Sequence, residues 1–111
     1  MKILASLVIG ILAALAAFAQ PCLNAAREQA PVLSSEANEL YEKNLADAEA
    51  VHLEKPNDAD SIIWLGRRMA YLGQYKKAVW IYSSGMTLHK NDARFYRHRG
   101  HRYITLRCFD D

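Results

Sequence analysis

Cysteine and proline are scarce in this chain, with two cysteines and three prolines among its 111 residues. Two cysteines cannot build the disulfide framework that holds together small domains with little core, so we expect Cys22 and Cys108 to be unpaired thiols. A disulfide between them is the alternative if the chain is exported. The prolines stand where the helical pattern is broken or ends, at Pro21, Pro31 and Pro56.

The chain also lacks the motifs through which proteins of this size carry out catalysis. It has no nucleophile elbow, no glycine loop that cradles phosphate and no HExxH pair. His98 and His101 are close enough in sequence to share a metal ion, but the arginines around them would repel a cation and no cysteine or carboxylate completes a site. We therefore expect no enzyme activity, no metal site and no cofactor.

A long apolar run occurs at the start of the chain, over residues 3–19. It follows Lys2 and ends in a small–aromatic–small triplet, which is typical of a secretory signal peptide. The pattern predicts a signal peptide over 1–19, cleavage before Gln20 and export to the periplasm or the medium. Two alternatives stay open: an uncleaved membrane anchor, and lipidation at Cys22, which the polar residues before it disfavour.

Charge is divided unevenly along the rest of the chain. Residues 27–60 hold nine acidic side chains against three basic ones, whereas residues 61–111 hold ten basic side chains against three acidic ones. This division says nothing about the fold, but it predicts that a basic surface will favour acidic partners.

Apolar periodicity predicts an all-α fold without strands. Residues 20–34 form a flexible leader with at most a short helix around 23–30, and four helices follow over 36–54, 59–72, 75–88 and 93–107. The inward stripes comprise Leu40, Tyr41, Leu45, Ala48 and Leu53 on the first, Ile62, Leu65, Met69 and Leu72 on the second, Ala78, Val79, Tyr82 and Met86 on the third, and Tyr96, Tyr103 and Leu106 on the fourth.

Residues repeat at an interval of 34. Residues 57–75 and 91–109 share six identities in nineteen aligned positions, and aromatic residues recur at Tyr41, Tyr75 and Phe109. A fixed period of this length is the signature of a stack of helix–turn–helix units. Glycines inside the helices, such as Gly66 and Gly100, would let two helix backbones approach closely.

The spacing of the repeated residues resembles the tetratricopeptide repeat. The signature residues are Ile62, Leu65, Gly66, Met69, Gly73, Tyr75, Ala78, Tyr82 and Gly85, and those in register after them are Tyr96, Gly100, Tyr103 and Phe109. The resemblance implies a repeat domain over 35–111, with a partial repeat at 36–58, a full one at 59–92 and an incomplete one at 93–111. It suggests either a fragment of a longer array or a face covered by self-association.

In this family the first helix of each repeat lines a concave groove that usually binds a peptide or protein segment. The resemblance implies that the groove residues are Asp60, Ile63, Arg67, Ala70, Arg94, Arg97, His101 and Ile104. Arg67, Arg94 and Arg97 could bind a carboxylate or acidic segment through charge-assisted hydrogen bonds. They could also form a solvated face without a partner.

These patterns predict a non-catalytic scaffold that binds a protein or peptide partner in a tetratricopeptide groove. One alternative is an accessory part of a larger exported enzyme or receptor. Another is a basic binder of anions or nucleic acid, which the buried register of Tyr96 and Tyr103 disfavours, since buried rings cannot stack on bases.

Overall fold

The computed structural model describes residues 21–109, which form five helices and no strand. They are α1 Pro21–Ala25, α2 Ser35–Glu54, α3 Ala59–Tyr71, α4 Tyr75–Leu88 and α5 Ala93–Thr105. The predicted all-α class is confirmed for this part of the chain, and each long helix begins and ends within two residues of its expected place. The predicted signal peptide at 1–19 and its cleavage site lie outside the described residues, as do Asp110 and Asp111.

Side-chain caps begin three of the four long helices. The Ser34 hydroxyl accepts a hydrogen bond from the Ala37 backbone N–H at 3.1 Å, and the Asp58 carboxylate accepts one from Ser61 at 2.9 Å. Asp92 accepts from the backbone N–H of Arg94 at 3.1 Å. These bonds satisfy backbone donors that the first turn of a helix leaves unpaired.

Consecutive long helices run antiparallel because the connections between them are short. Tyr41, near the start of α2, contacts Tyr71, at the end of α3, with ring centroids 5.8 Å apart. A left-handed glycine, Gly73 with φ of 78°, lies in the turn from α3 to α4. That backbone conformation is strained for any other residue type, which accounts for glycine where α3 ends.

Two aromatic rings fill the space that glycines leave on neighbouring helices. The Tyr82 ring of α4 lies against Gly66 of α3, and the Phe95 ring of α5 lies against Gly85 of α4. A Cβ atom on either glycine would overlap the ring that faces it. Each glycine therefore sets how closely its helix pair can pack, as the sequence predicts for Gly66.

The core lies between α3, α4 and α5. Its large side chains are almost completely buried, and α1 adds one of them to the same cluster. The buried hydrophobic residues are Leu23, Ile62, Ile63, Leu65, Ala70, Tyr75, Ala78, Val79, Tyr82, Phe95, Tyr103, Leu106 and Cys108.

Helix α2 differs from the inward stripe that the sequence predicts. No residue of α2 is buried, and Leu40 and Leu53 are 53% and 83% exposed. Tyr41, Leu45 and Ala48 are only partly covered. The reason is that α2 packs mainly on α3, so one side of the helix is covered and the rest faces solvent.

On α5 the expected inward position of Tyr96 is wrong. Tyr96 is 51% exposed, while its neighbour Phe95 is completely buried against Gly85. The 34-residue register aligns Tyr96 with the buried Ile62, but α5 has a helix packed on its Phe95 side and none on the other among the described residues. Tyr103 and Leu106 are buried, as expected.

The two cysteines are joined, which overturns the prediction of unpaired thiols. Cys22 and Cys108 form a disulfide with their Cα atoms 5.7 Å apart. A Cys22 sulfur held in this bond has no thiol to carry a lipid. The sequence placed Cys22 in a flexible leader. The spacing of two cysteines 86 residues apart does not show whether their side chains meet in the folded chain.

The leader itself is packed along one end of the helices. Leu23 is 1% exposed, the Glu28 carboxylate accepts a hydrogen bond from the Lys76 backbone N–H at 2.6 Å, and Ala30 lies against Gly73. The leader therefore contacts α4 and the end of α3 before Ser34 caps α2. No helix within residues 21–109 is long and apolar enough to cross a membrane.

Alanine substitutions at two helical glycines should have opposite effects on stability. Gly66→Ala should lower the free energy of unfolding by about 1–3 kcal/mol, because its methyl group collides with the Tyr82 ring. Gly100→Ala should raise it by about 0.5–1 kcal/mol, since no atom lies within 4 Å of the added Cβ and alanine is the better helix former. Urea unfolding followed by circular dichroism measures both, and equal effects would contradict the packing described.

Loss of the disulfide should destabilise the fold. Reduction, or the double change Cys22→Ser and Cys108→Ser, should lower the free energy of unfolding by about 2–5 kcal/mol, because the bond closes a long loop in the unfolded chain. Denaturation with and without reductant measures this, and the double variant should not respond to reductant. Two titratable thiols in the native protein would show that the bond is absent.

Candidate functional site

The eight predicted groove residues do not form one continuous surface. Ile63 and Ala70 are 4% and 6% exposed and belong to the core, where they offer little contact area to a partner. Arg97 and Ile104 lie in solvent on α5, with Ile104 61% exposed. Asp60 forms an ion pair with Arg94. Arg67 and His101 line a small cavity, and Ala70 also contributes to its lining.

Arg94 is occupied by two carboxylates of the same chain. Its guanidinium donates to Asp60 at 2.7 Å and to Asp92 at 2.7 Å through different nitrogens. Hydrogen bonds from Arg94 lower the pKa of Asp92 to about 2. In this arrangement Arg94 links the start of α3 to the start of α5, and its guanidinium already has two carboxylate partners. Its predicted role as an anion contact gains no support from these contacts.

A cavity of about 200 Å³ lies between α3 and α5. Its floor is the α4 side chain of Tyr82, which also contacts Gly66. The cavity is lined by Arg67, Ala70 and Tyr71 of α3, by Tyr82, and by His98, His101 and Arg102 of α5.

The two arginines of the cavity are held by aromatic side chains. Arg67 donates a hydrogen bond to the Tyr71 hydroxyl at 2.9 Å and lies 4.3 Å from the Trp64 ring centroid. Arg102 lies 5.5 Å from the Tyr75 ring centroid. Among residues 21–109, no carboxylate is within ion-pair distance of Arg67 or Arg102. The aromatic contacts hold both guanidinium groups in place, and no carboxylate of this part of the chain neutralises their positive charge.

Burial and positive charge act together on His98. Burial is the largest cause that lowers its pKa, and the cations Arg67, Arg97, His101 and Arg102 lower it further. The His98 ring stacks on Tyr82 with centroids 5.7 Å apart. The burial of His98 and the positive charges around it disfavour a proton on its ring, whereas an anion in the cavity would favour one.

Burial also raises the pKa of Tyr82 to about 12, and its hydroxyl, like that of an ordinary tyrosine, is protonated at neutral pH. The cavity therefore presents donors from Tyr82 and the arginines and carries a net positive charge. Such a site is suited to an anion, and it would repel a metal cation.

Sequence reasoning missed His98, Arg102 and Tyr71 as members of this site. A signal was present, since His98, His101 and Arg102 are three and four residues apart and therefore share one face of a helix. The sequence placed His101 in the predicted groove, whereas His98 entered only as half of a possible metal site. Within residues 21–109 no group of three His, Cys, Asp or Glu side chains is placed to hold a metal ion.

A second, larger groove of about 530 Å³ lies between α2 and α3. Its apolar residues are Ala48, Val51 and Trp64. Trp64 is 43% exposed and has the Arg68 guanidinium 4.9 Å from its ring centroid. Asp47, Asp58 and Asp60 line the same groove. This groove has mixed charge, and only its Asp60 belongs to the predicted groove.

Comparison with known proteins gives this geometry no relative: the chain matches no family model, no curated protein and no solved structure. The tetratricopeptide resemblance therefore rests on the residues and their spacing alone.

The titration of His98 tests the electrostatics of the cavity. Its NMR midpoint should lie below 6.5, and Arg67→Gln should move it upward, because one of the neighbouring cations is removed. Because its folded-state pKa lies below the unfolded value, His98 should lower stability as the pH falls from 6.5 to the folded midpoint, and no further below it. Arg27→Gln, which removes a charge not among those acting on His98, is the control. A midpoint unchanged by Arg67→Gln would place that arginine outside the cavity.

Proposed function

We propose that this chain is a non-catalytic, tetratricopeptide-like interaction module that binds an acidic segment of a partner protein between α3 and α5. The observation that carries the proposal is the cavity that Arg67 and Arg102 both line, neither of them paired with a carboxylate among residues 21–109. Within a protein, an arginine that is fixed but not neutralised is a favourable contact for a carboxylate, because its geometry is set before binding.

The size of the cavity favours a side chain over a large ligand. About 200 Å³ is below the usual volume of pockets for drug-sized molecules, but it can admit one Asp or Glu side chain or a chain terminus. The rest of a bound segment would run along the exposed surfaces of α3 and α5, where Asp60 and Arg94 already neutralise each other. Such a segment would be anchored at one acidic residue.

Binding of nucleic acid has weaker support. Of the α5 arginines, Arg94 is paired with two carboxylates, and Arg99 donates to Ser83 at 3.3 Å and lies over the Tyr103 ring. Arginines held in this way are poorly placed to follow a phosphate backbone. An accessory role within a larger protein would use the same cavity and is compatible with the proposal.

We also propose that the protein acts outside the cytoplasm. The apolar run at 3–19 has the form of a signal peptide, and the Cys22–Cys108 disulfide is a kind of bond that persists mainly in oxidising compartments. Both features support export to the periplasm or the medium.

Peptide binding tests the proposed site. A labelled peptide with Asp residues in a Gly/Ser background should bind, and the same peptide with Asn in place of Asp should not. Arg67→Ala with Arg102→Ala should weaken binding at least about tenfold, because charge-assisted hydrogen bonds are lost. Fluorescence anisotropy measures the dissociation constants, and thermal unfolding checks that the variant is folded.

The matched control removes two positive charges elsewhere. Lys77 and Lys90 are exposed and line no part of the cavity, so Lys77→Ala with Lys90→Ala should leave binding unchanged apart from a small general effect. Equal losses for the two double variants would mean that net charge alone attracts the peptide. Tighter binding to single-stranded DNA than to the peptide, with a steep dependence on salt, would favour the nucleic-acid alternative.

A further inference from the structure

The outer face of α5 carries apolar side chains with no helix packed on them among residues 21–109. Tyr96 is 51% exposed and Ile104 is 61% exposed, and Gly100 lies between them on the same face. No atom lies within 4 Å of a Cβ built on Gly100. Arg97 and Arg107 are exposed beside this stripe.

The other helical glycines show what such a surface accepts. Gly66 and Gly85 each receive an aromatic ring from the neighbouring helix, and that contact brings the two helices together. Gly100 has the same place within its helix as Gly66 has 34 residues earlier, yet it receives nothing. The α5 face is therefore shaped for a packed helix that is absent from the described part of the chain.

Charge indicates which helix would fit. Residues 93–109 contain five arginines and no acidic residue, whereas α2 contains six carboxylates and a single lysine. Lys43 is paired with Asp47 at 3.2 Å, which leaves five carboxylates in excess. The most basic and the most acidic helices of the described chain thus belong to the same molecule.

The side of α2 turned away from Tyr41 has a pattern suited to helix packing. Glu39, Glu42, Ala46, Glu49 and Leu53 follow one another at intervals of three and four residues, so they share one face. All five are exposed. Ala46 offers a close approach, Leu53 an apolar contact and the three glutamates opposite charge to Arg97 and Arg107.

Within one molecule these two faces are separated. Helix α2 packs mainly on α3, while α5 packs on α4 and, less extensively, on α3. An acidic face on one helix and a basic, apolar face on another can then meet only between molecules. A contact of this kind is heterologous, because each copy uses a different surface.

We propose that the outer face of α5 binds the acidic face of α2 from a second copy of this chain, in a head-to-tail arrangement. Each added copy presents a new α5 face, so association continues to species larger than a dimer unless the chain of copies closes into a ring. High salt weakens the association, since exposed charges attract one another across the contact. The anion cavity is not part of this contact, so the proposal does not rest on the proposed function.

Two charge-reversal variants of the full chain test the contact by sedimentation velocity over a range of concentrations. One carries Arg97→Glu and Ile104→Glu on α5, and the other carries Glu42→Lys and Glu49→Lys on α2. For the wild type the mean mass should rise with concentration. Each variant alone should raise the apparent dissociation constant at least about tenfold, because it places like charges opposite each other.

The decisive measurement is a mixture of the two variants. The unaltered α2 of the first fits the unaltered α5 of the second, so the mixture should associate again although neither variant does alone. The control Lys77→Glu with Ser84→Glu changes net charge as much as the α5 variant does, on exposed positions of α4, and should associate like the wild type.

Every other outcome overturns the proposal. If the α5 variant is monomeric but the α2 variant associates normally, two α5 faces pair with each other instead. If neither variant changes the mass, another segment, such as the apolar run at 3–19, causes association. A wild type that stays monomeric at all concentrations rules out the contact.

Arg67→Ala with Arg102→Ala should leave self-association intact, which separates this test from the test of the cavity between α3 and α5.

Discussion

The contact of Tyr82 with Gly66 is the constraint on which the rest of the structure depends. It lets α3 and α4 approach closely and places a large aromatic ring in the centre of the core. The same ring stacks with His98 of α5 and lines the cavity between α3 and α5. The Tyr82 side chain therefore contacts the helices on both sides of α4 and also lines the candidate site. A change in the packing of Tyr82 would change the shape of that site.

Local rules were enough to predict the helices. Proline at 56, the Asn–Asp pairs at 57–58 and 91–92 and glycine at 73 each act on the backbone around them, so they can be recognised without knowing which helices pack nearby. Within each pair the structure shows the aspartate to be the cap. Those local rules do not predict which other helices pack on each face of a helix. The 34-residue register predicts that both Ile62 and Tyr96 face inward. Among residues 21–109, however, a neighbouring helix covers Ile62 and none covers Tyr96.

The sequence predicted only part of the candidate site, again because contacts between helices cannot be predicted from local rules. Its position on α3 and α5 was expected, and three of the predicted groove residues, Arg67, Ala70 and His101, line the cavity. Residue types alone do not show that Arg94 pairs with Asp60 and Asp92. Whether an arginine on a helix face can bind a partner depends on which carboxylates of its own chain lie within ion-pair distance. Long-range pairings such as Cys22 with Cys108 pose the same difficulty at greater separation.

The disulfide has a mechanical consequence. Because it joins residues near both ends of the described chain, a force that pulls those ends apart would pass through a covalent bond instead of through the helices. The backbone between Cys22 and Cys108 is a covalently closed ring. In a row of copies joined through α2 and α5, a pulling force would act across the packed helices of each copy. The disulfide would limit how far the chain of each copy could be extended by that force.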